Sequence, residues 1–130
     1  MSLTTQLITA AREALKKAYA PYSHYRVGAA LLTKSGKIFT GCNIENASYG
    51  LTVCAERVAL WKAVSSGETE FKQMTIVAST NKIPYPCGAC RQVMYEFAPH
   101  ITFCLVAKSG KMVYRKLSGL LPDPFNMKSS

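Results

Sequence analysis

The chain has 130 residues, 48% of them apolar, with 16 Lys plus Arg against 7 Asp plus Glu for a formal charge of +9. That length suits one compact domain spanning 1–130, and the apolar share is ordinary for a globular core, which argues against general disorder. No apolar run approaches the roughly 20 residues that cross a bilayer, and Met1 to Gln6 has no basic-then-apolar leader, so a soluble, cytoplasmic protein without a membrane partner is expected.

A periodic stripe of Leu7, Ala11, Leu15 and Ala18 predicts a first helix from Leu3 to Ala20, ended by Pro21. Val27–Leu32 and Ile38–Cys42 read as strands, joined through the turn Lys34-Ser35-Gly36-Lys37. Asn43 to Thr52 is polar and irregular. A second helix is predicted from about Cys54 to Ser66, with Gly67 as its stop. Met74–Ser79 reads as a strand, and a third helix starts near Cys87 or Gly88 and ends before Pro99. Ile101–Val106 and Met112–Arg115 complete the strands, joined by a second Lys-Ser-Gly-Lys at 108–111. Each copy of that tetrapeptide leads into a strand and lacks the first glycine of a phosphate loop, so it is read as turn chemistry. Strands apolar on both faces need helices above and below. The expected fold is therefore α/β, a three-layer α/β/α sandwich around a mixed five-stranded sheet.

The basic residues are scattered through the chain, with no block of like charge. This favours a solvated basic surface over a nucleic-acid-binding stripe, although lysine and arginine neutralise phosphates wherever they gather.

The five cysteines are Cys42, Cys54, Cys87, Cys90 and Cys104. An odd count without a leader argues against a disulfide framework. Cys42 and Cys104 lie in strand-like runs and read as small buried hydrophobes. The other three open helices, where unpaired backbone N–H groups and the helix dipole favour a thiolate. Three such thiolates can hold Zn²⁺ and leave a fourth tetrahedral position for water. Glu56, two residues beyond Cys54, is placed to reach that water instead of the metal. His24 and His100 sit at unmatched positions and read as surface or loop residues.

Cys54-Ala55-Glu56 with Pro86-Cys87-Gly88-Ala89-Cys90 resembles the zinc deaminase signature in its three-cysteine form. Nearly the whole chain is similar to the small homotetrameric cytidine deaminases, through Ala20-Pro21-Tyr22-Ser23, Val27-Gly28-Ala29-Ala30-Leu31, Gly41-Cys42-Asn43-Ile44-Glu45-Asn46-Ala47-Ser48-Tyr49, Cys54-Ala55-Glu56-Arg57 and Pro86-Cys87-Gly88-Ala89-Cys90-Arg91-Gln92. The resemblance implies hydrolytic deamination of free cytidine and 2′-deoxycytidine to uridine and 2′-deoxyuridine in pyrimidine salvage. It implies one zinc per subunit on Cys54, Cys87 and Cys90, with hydroxide on that zinc attacking C4 and Glu56 shuttling protons. Arg57 is expected to donate hydrogen bonds to the ligand sulfurs. Asn43 and Glu45, alternate residues leaving a strand, are expected to hold the ribose 3′-hydroxyl. The Ala55 backbone is expected to meet the base. Tyr25 takes the stacking position where phenylalanine is usual, and Arg26 stands where proline is common. Tyr49 and Phe125 match aromatics that reach a neighbouring subunit's site, which implies a homotetramer with shared active sites. Nucleic acid is not the expected partner, because 130 residues leave no space for strand-holding insertions.

Overall fold

The structure, a computed structural model, describes residues 1–127. Its elements follow the expected order: α1 (Leu3–Leu15), β1 (Val27–Thr33), β2 (Ile38–Cys42), α2 (Ala55–Ser65), β3 (Phe71–Ala78), α3 (Gly88–Phe97), β4 (Thr102–Val106), β5 (Met112–Lys116) and a short α4 (Leu117–Leu120). The strands form one sheet in the order β2-β1-β3-β4-β5. Only the β3–β4 pair is parallel, bridged by α3, while the other three pairings are antiparallel. The mixed five-stranded sheet is as expected.

The strand period of two separates the layers. Ala29 and Leu31 of β1 join Met74, Ile76, Phe103 and Leu105 against Ala59, Leu60 and Ala63 of α2 and Met94 of α3. Their neighbours Ala30 and Leu32 face the other way, joining Val77, Cys104 and Val106 against Leu7 and Ala11 of α1. Cys104 is fully buried there, whereas Cys42, at the end of the edge strand β2, is only half-buried. The expectation of a buried Cys42 is corrected, because it ends the edge strand of the sheet, which has a neighbouring strand on one side only. Gly36 and Gly110, the glycines of the two Lys-Ser-Gly-Lys segments, both take φ of +95° in equivalent hairpin turns.

Helix α1 ends at Leu15 instead of Ala20. After two exposed lysines the chain turns extended, because Tyr19 finds backbone partners beyond β2: its N–H donates to the Asn43 carbonyl at 3.0 Å, and the Glu45 N–H donates to the Tyr19 carbonyl at 2.8 Å. Ile44 in turn exchanges two hydrogen bonds with Val53, each 3.0 Å. Tertiary pairing outweighs helix propensity in this segment. The stretch from Asn43 to Thr52, expected to be irregular throughout, is thus tied at both ends and closes through a 3₁₀ turn at Tyr49–Leu51. This miniature ladder delivers the chain to Cys54 from a fixed direction.

Two glycines let the helices seat closely on the sheet. A Cβ on Gly28 would lie 2.0 Å from the Ala11 carbonyl oxygen of α1, and one on Gly41 would lie 2.4 Å from the Ala55 carbonyl oxygen and 2.5 Å from the Ala59 nitrogen of α2. Neither backbone contact can yield without moving a helix. Gly28→Ala and Gly41→Ala are each expected to cost about 1–3 kcal/mol in urea denaturation through overpacking. Gly41→Ala should also lower bound zinc more than Gly28→Ala does, since α2 and not α1 begins at Cys54. Equal zinc content in the two purified variants would contradict this coupling.

Candidate active site

Cys54 is the N-cap of α2, and Cys87 is the N-cap of α3. The second helix therefore starts one residue later than expected, with its first cysteine just outside. Cys90 lies in the first turn of α3, and its backbone N–H donates to Cys87 Sγ at 3.4 Å. Two helices start side by side at one end of the sheet, so their unpaired amides and dipole ends converge on the same three sulfurs.

The Sγ atoms of Cys54, Cys87 and Cys90 all lie within 4.8 Å of one another. Cys54 and Cys87 are 3.6 Å apart, close to the separation of about 3.8 Å between two sulfurs on a tetrahedral zinc with ~2.3 Å bonds. Among the described residues no fourth His, Cys, Asp or Glu joins this group. The donor set is soft, compact and three-sided, and it fits zinc with one position open to a small ligand.

The protonation pattern follows from crowding. The Cys54 thiolate is favoured, its pKa lowered to about 5 first by the hydrogen bond from the Cys90 thiol and also by Arg57. Cys90 is pushed up by that same hydrogen bond and by burial. A cation would relieve the crowding, because metal ligation lets all three sulfurs ionise. Glu56 is buried, and desolvation, followed by the neighbouring Cys54 charge, raises its pKa to about 7. A carboxyl poised there can both take and give a proton near neutrality.

Arg57 Nη2 donates to Cys54 Sγ at 3.6 Å and to the Thr52 carbonyl at 3.4 Å, while its Nε is buried without a partner among the described residues. The guanidinium is thus anchored on one ligand sulfur and on the backbone entering α2.

A cavity of about 260 Å³ opens over these groups, lined by Cys54, Ala55, Glu56 and Cys87 at its floor and by Tyr25, Val27, Asn43, Glu45, Ile76 and Tyr85 among its walls. Tyr25 is half-buried, and its phenol is raised by burial and by the Glu56 charge. It is carried by a turn in which His24 takes a left-handed φ of 59°. Asn43 and Glu45 both reach the wall, but their side chains also hold the protein together. Asn43 Oδ1 accepts from the Val27 N–H at 2.9 Å, and its Nδ2 donates to the Tyr25 carbonyl at 2.7 Å. Glu45 accepts from the backbone N–H groups of Tyr22 at 2.9 Å and Ser23 at 3.1 Å and from the Ser23 hydroxyl, and this hydroxyl holds its carboxyl below the usual range.

Tyr49 and Phe125 do not line this cavity. Tyr49 is 75% exposed and packs edge-on against Tyr22 with ring centroids 6.1 Å apart. Phe125 is 71% exposed, yet its backbone is gripped by the Gln92 amide, which donates to its carbonyl at 2.8 Å and accepts from its N–H at 3.1 Å. Arg91 ties the same region together, donating to the Pro86 carbonyl at 2.7 Å and the Leu120 carbonyl at 2.9 Å. Sequence reasoning missed Ser23, Thr52, Pro84 and Tyr85 as cavity residues. Tyr85 stands two residues before Cys87, which was the available signal. Ser23 and Thr52 carried none beyond their motif neighbours.

A three-thiol metal cradle with one buried carboxyl beside it defines the class as a metal-dependent hydrolytic enzyme. The family described as cytidine and deoxycytidylate deaminase zinc-binding region matches residues 1–106, and the chain belongs to that family of zinc-binding deaminases. It is 49% identical over 120 residues to a cytidine deaminase of Halalkalibacterium halodurans, covering 92% of this chain and 91% of that one. The crystal structure of a cytidine deaminase from Burkholderia pseudomallei superposes with a TM-score of 0.90 at 48% identity, covering 96% of this chain and all of that one. More distant is a blasticidin-S deaminase of Bacillus cereus, 35% identical over 127 residues, with 90% of this chain and 88% of that one covered.

Removing the Arg57 guanidinium leaves Cys54 without its charged donor. Arg57→Ala is expected to weaken zinc retention by roughly 10- to 100-fold in competition with a chelator. Arg57→Lys should recover only part of it, because lysine lacks the flat, rigid guanidinium whose Nη2 is set between Cys54 Sγ and the Thr52 carbonyl. Wild-type retention in Arg57→Ala would contradict this role.

Proposed function

We propose that the protein is a single-domain cytidine deaminase that hydrolyses cytidine and 2′-deoxycytidine to uridine and 2′-deoxyuridine, releasing ammonia, with zinc held by Cys54, Cys87 and Cys90. The observation that carries this reading is Glu56, buried beside the three thiols in a cavity whose walls combine aromatic, aliphatic, amide and carboxylate groups. When bound, zinc supplies the Lewis acidity that makes water nucleophilic at neutral pH. Glu56 takes a proton from the water that adds to C4 and delivers it to N3 of the ring. It then helps protonate the departing amine, so that water enters and ammonia leaves in equal number.

The remaining contacts follow from free hydrogen-bonding capacity. Asn43 has a second amide hydrogen beyond the one given to Tyr25, and a carboxylate offers about four lone-pair sites, so Glu45 has capacity beyond its Tyr22 and Ser23 contacts. Both face a sugar hydroxyl in this reading, while Tyr25 stacks on the base and the Ala55 backbone meets its edge. The Glu45 charge disfavours a 5′-phosphate in the cavity, which selects nucleosides over nucleotides.

We also infer a homotetramer with shared sites. Tyr49 and Phe125 are exposed and do not line their own cavity, and Gln92 holds the Phe125 backbone in place. Ile44, Leu51 and Trp61 leave a further apolar groove next to Val58 of α2, suited to a copy of the chain. Action in cytoplasmic pyrimidine salvage follows from a free nucleoside substrate, and no helix among the described residues is long and apolar enough to cross a membrane.

The test is the ultraviolet absorbance of cytidine with the zinc-loaded protein, run beside Glu56→Gln and with CMP and single-stranded RNA as competing substrates. Cytidine should be converted and the other two left unchanged. Glu56→Gln should keep its zinc and lose roughly 10²- to 10⁴-fold or more in kcat. Conversion of blasticidin S but not of cytidine, or near-normal turnover by Glu56→Gln, would overturn the reading.

A further inference from the structure

In the proposed reaction the substrate is a neutral nucleoside, which leaves most of the basic residues behind the formal charge of +9 without a part in it. Part of that charge converges at the cavity-bearing end of the sheet, on the side covered by α1. A groove of about 340 Å³ lies there between the end of α1 and the ends of β3 and β4, lined by Arg12, Leu15, Lys16, Val77, Ala78, Ser79, Ala107 and Lys108. Its cations come from separate parts of the chain: Arg12 and Lys16 from the end of α1, and Lys108 from just past β4. Lys16 pairs with Glu13 at 3.1 Å, but among the described residues neither Arg12 nor Lys108 has a carboxylate partner.

Arg26 adds a fourth cation at the rim. Its Nη1 donates to the Lys16 carbonyl at 3.4 Å, and its backbone N–H donates to Ser79 Oγ at 2.9 Å while the Ser79 N–H donates back to its carbonyl at 2.9 Å. Its neighbours Tyr25 and Val27 line the catalytic cavity, so the two recesses stand back to back across one short segment.

We propose that this groove is a binding site for an oligophosphate group, of the kind carried by nucleoside triphosphates or by inorganic triphosphate. Guanidinium forks and ammonium groups from different elements surround a single recess, which matches several phosphate oxygens close together. Leu15, Val77 and Ala107 form an apolar floor beneath these exposed cationic side chains. The site is a short open groove and not an extended stripe, which favours a small anion over a polynucleotide backbone.

The test titrates the intact zinc-loaded protein by calorimetry with CTP, inorganic triphosphate and a single-stranded oligouridylate, beside the double variant Arg12→Ala/Lys108→Ala. CTP should bind in the presence of saturating cytidine analogue, weaken with added salt, and lose roughly tenfold or more of its affinity in the double variant. That variant should deaminate cytidine normally, which separates loss of the groove from loss of the fold. Equal affinity for inorganic triphosphate assigns the contacts to the phosphates alone, and tighter CTP adds a contact to its nucleoside; either supports the site. CTP binding that is absent, unchanged in the double variant, or displaced by cytidine would overturn it. So would oligouridylate binding tighter than CTP and lost in the same variant.

Discussion

The start of α2 beside the start of α3 is the constraint on which the rest of the site depends. A helix N-terminus leaves its first amides unpaired, and two of them side by side make one strongly electropositive corner. That corner favours thiolates, and the sequence supplies three of them at N-cap and first-turn positions. Gly41 lets α2 press onto β2 at Ala55 and Ala59, while the Ile44–Val53 pairing sets the direction from which Cys54 arrives. Loss of either would separate the sulfurs before it exposed the core.

Electrostatics then sort the groups around that corner. Three ligating thiolates would leave zinc with a net negative surrounding, which opposes acidification of water. Arg57 offsets this from one side through Cys54 Sγ. Glu56 lies on the other side, buried enough that its carboxyl approaches neutrality in pKa. In the proposed mechanism two side chains adjacent in sequence thus take opposite parts: one draws electron density from the sulfurs, and the other moves protons inside the cavity. The helical angle of about 100° per residue between them makes this division possible.

Much of the arrangement was legible in the sequence because it is local. Cys54-x-Glu56 and Cys87-x-x-Cys90 sit at helix starts whose signals are short-range, and the alternating apolar strands define the layers. Features decided by distant partners were not legible. Leu15 ends α1 because Tyr19 pairs with residues 43–45, and nothing in the periodicity of Leu7, Ala11, Leu15 and Ala18 announces that. Asn43 and Glu45 reach the cavity, but their bonds to the backbone of residues 22–27 show them also bracing the loop that carries Tyr25. The Gln92 grip on Phe125 joins residues 33 positions apart and has no local trace. Charge was the least legible quantity, since scattered lysines and arginines in the chain converge on one groove only after folding.

The chemistry of the site depends on zinc held by three sulfurs with one light-atom ligand. X-ray absorption at the zinc edge of the purified protein tests it most directly. Three sulfur neighbours at about 2.3 Å and one oxygen or nitrogen at about 2.0 Å are expected per zinc. A shell of four sulfurs, or one dominated by oxygen and nitrogen, would contradict it.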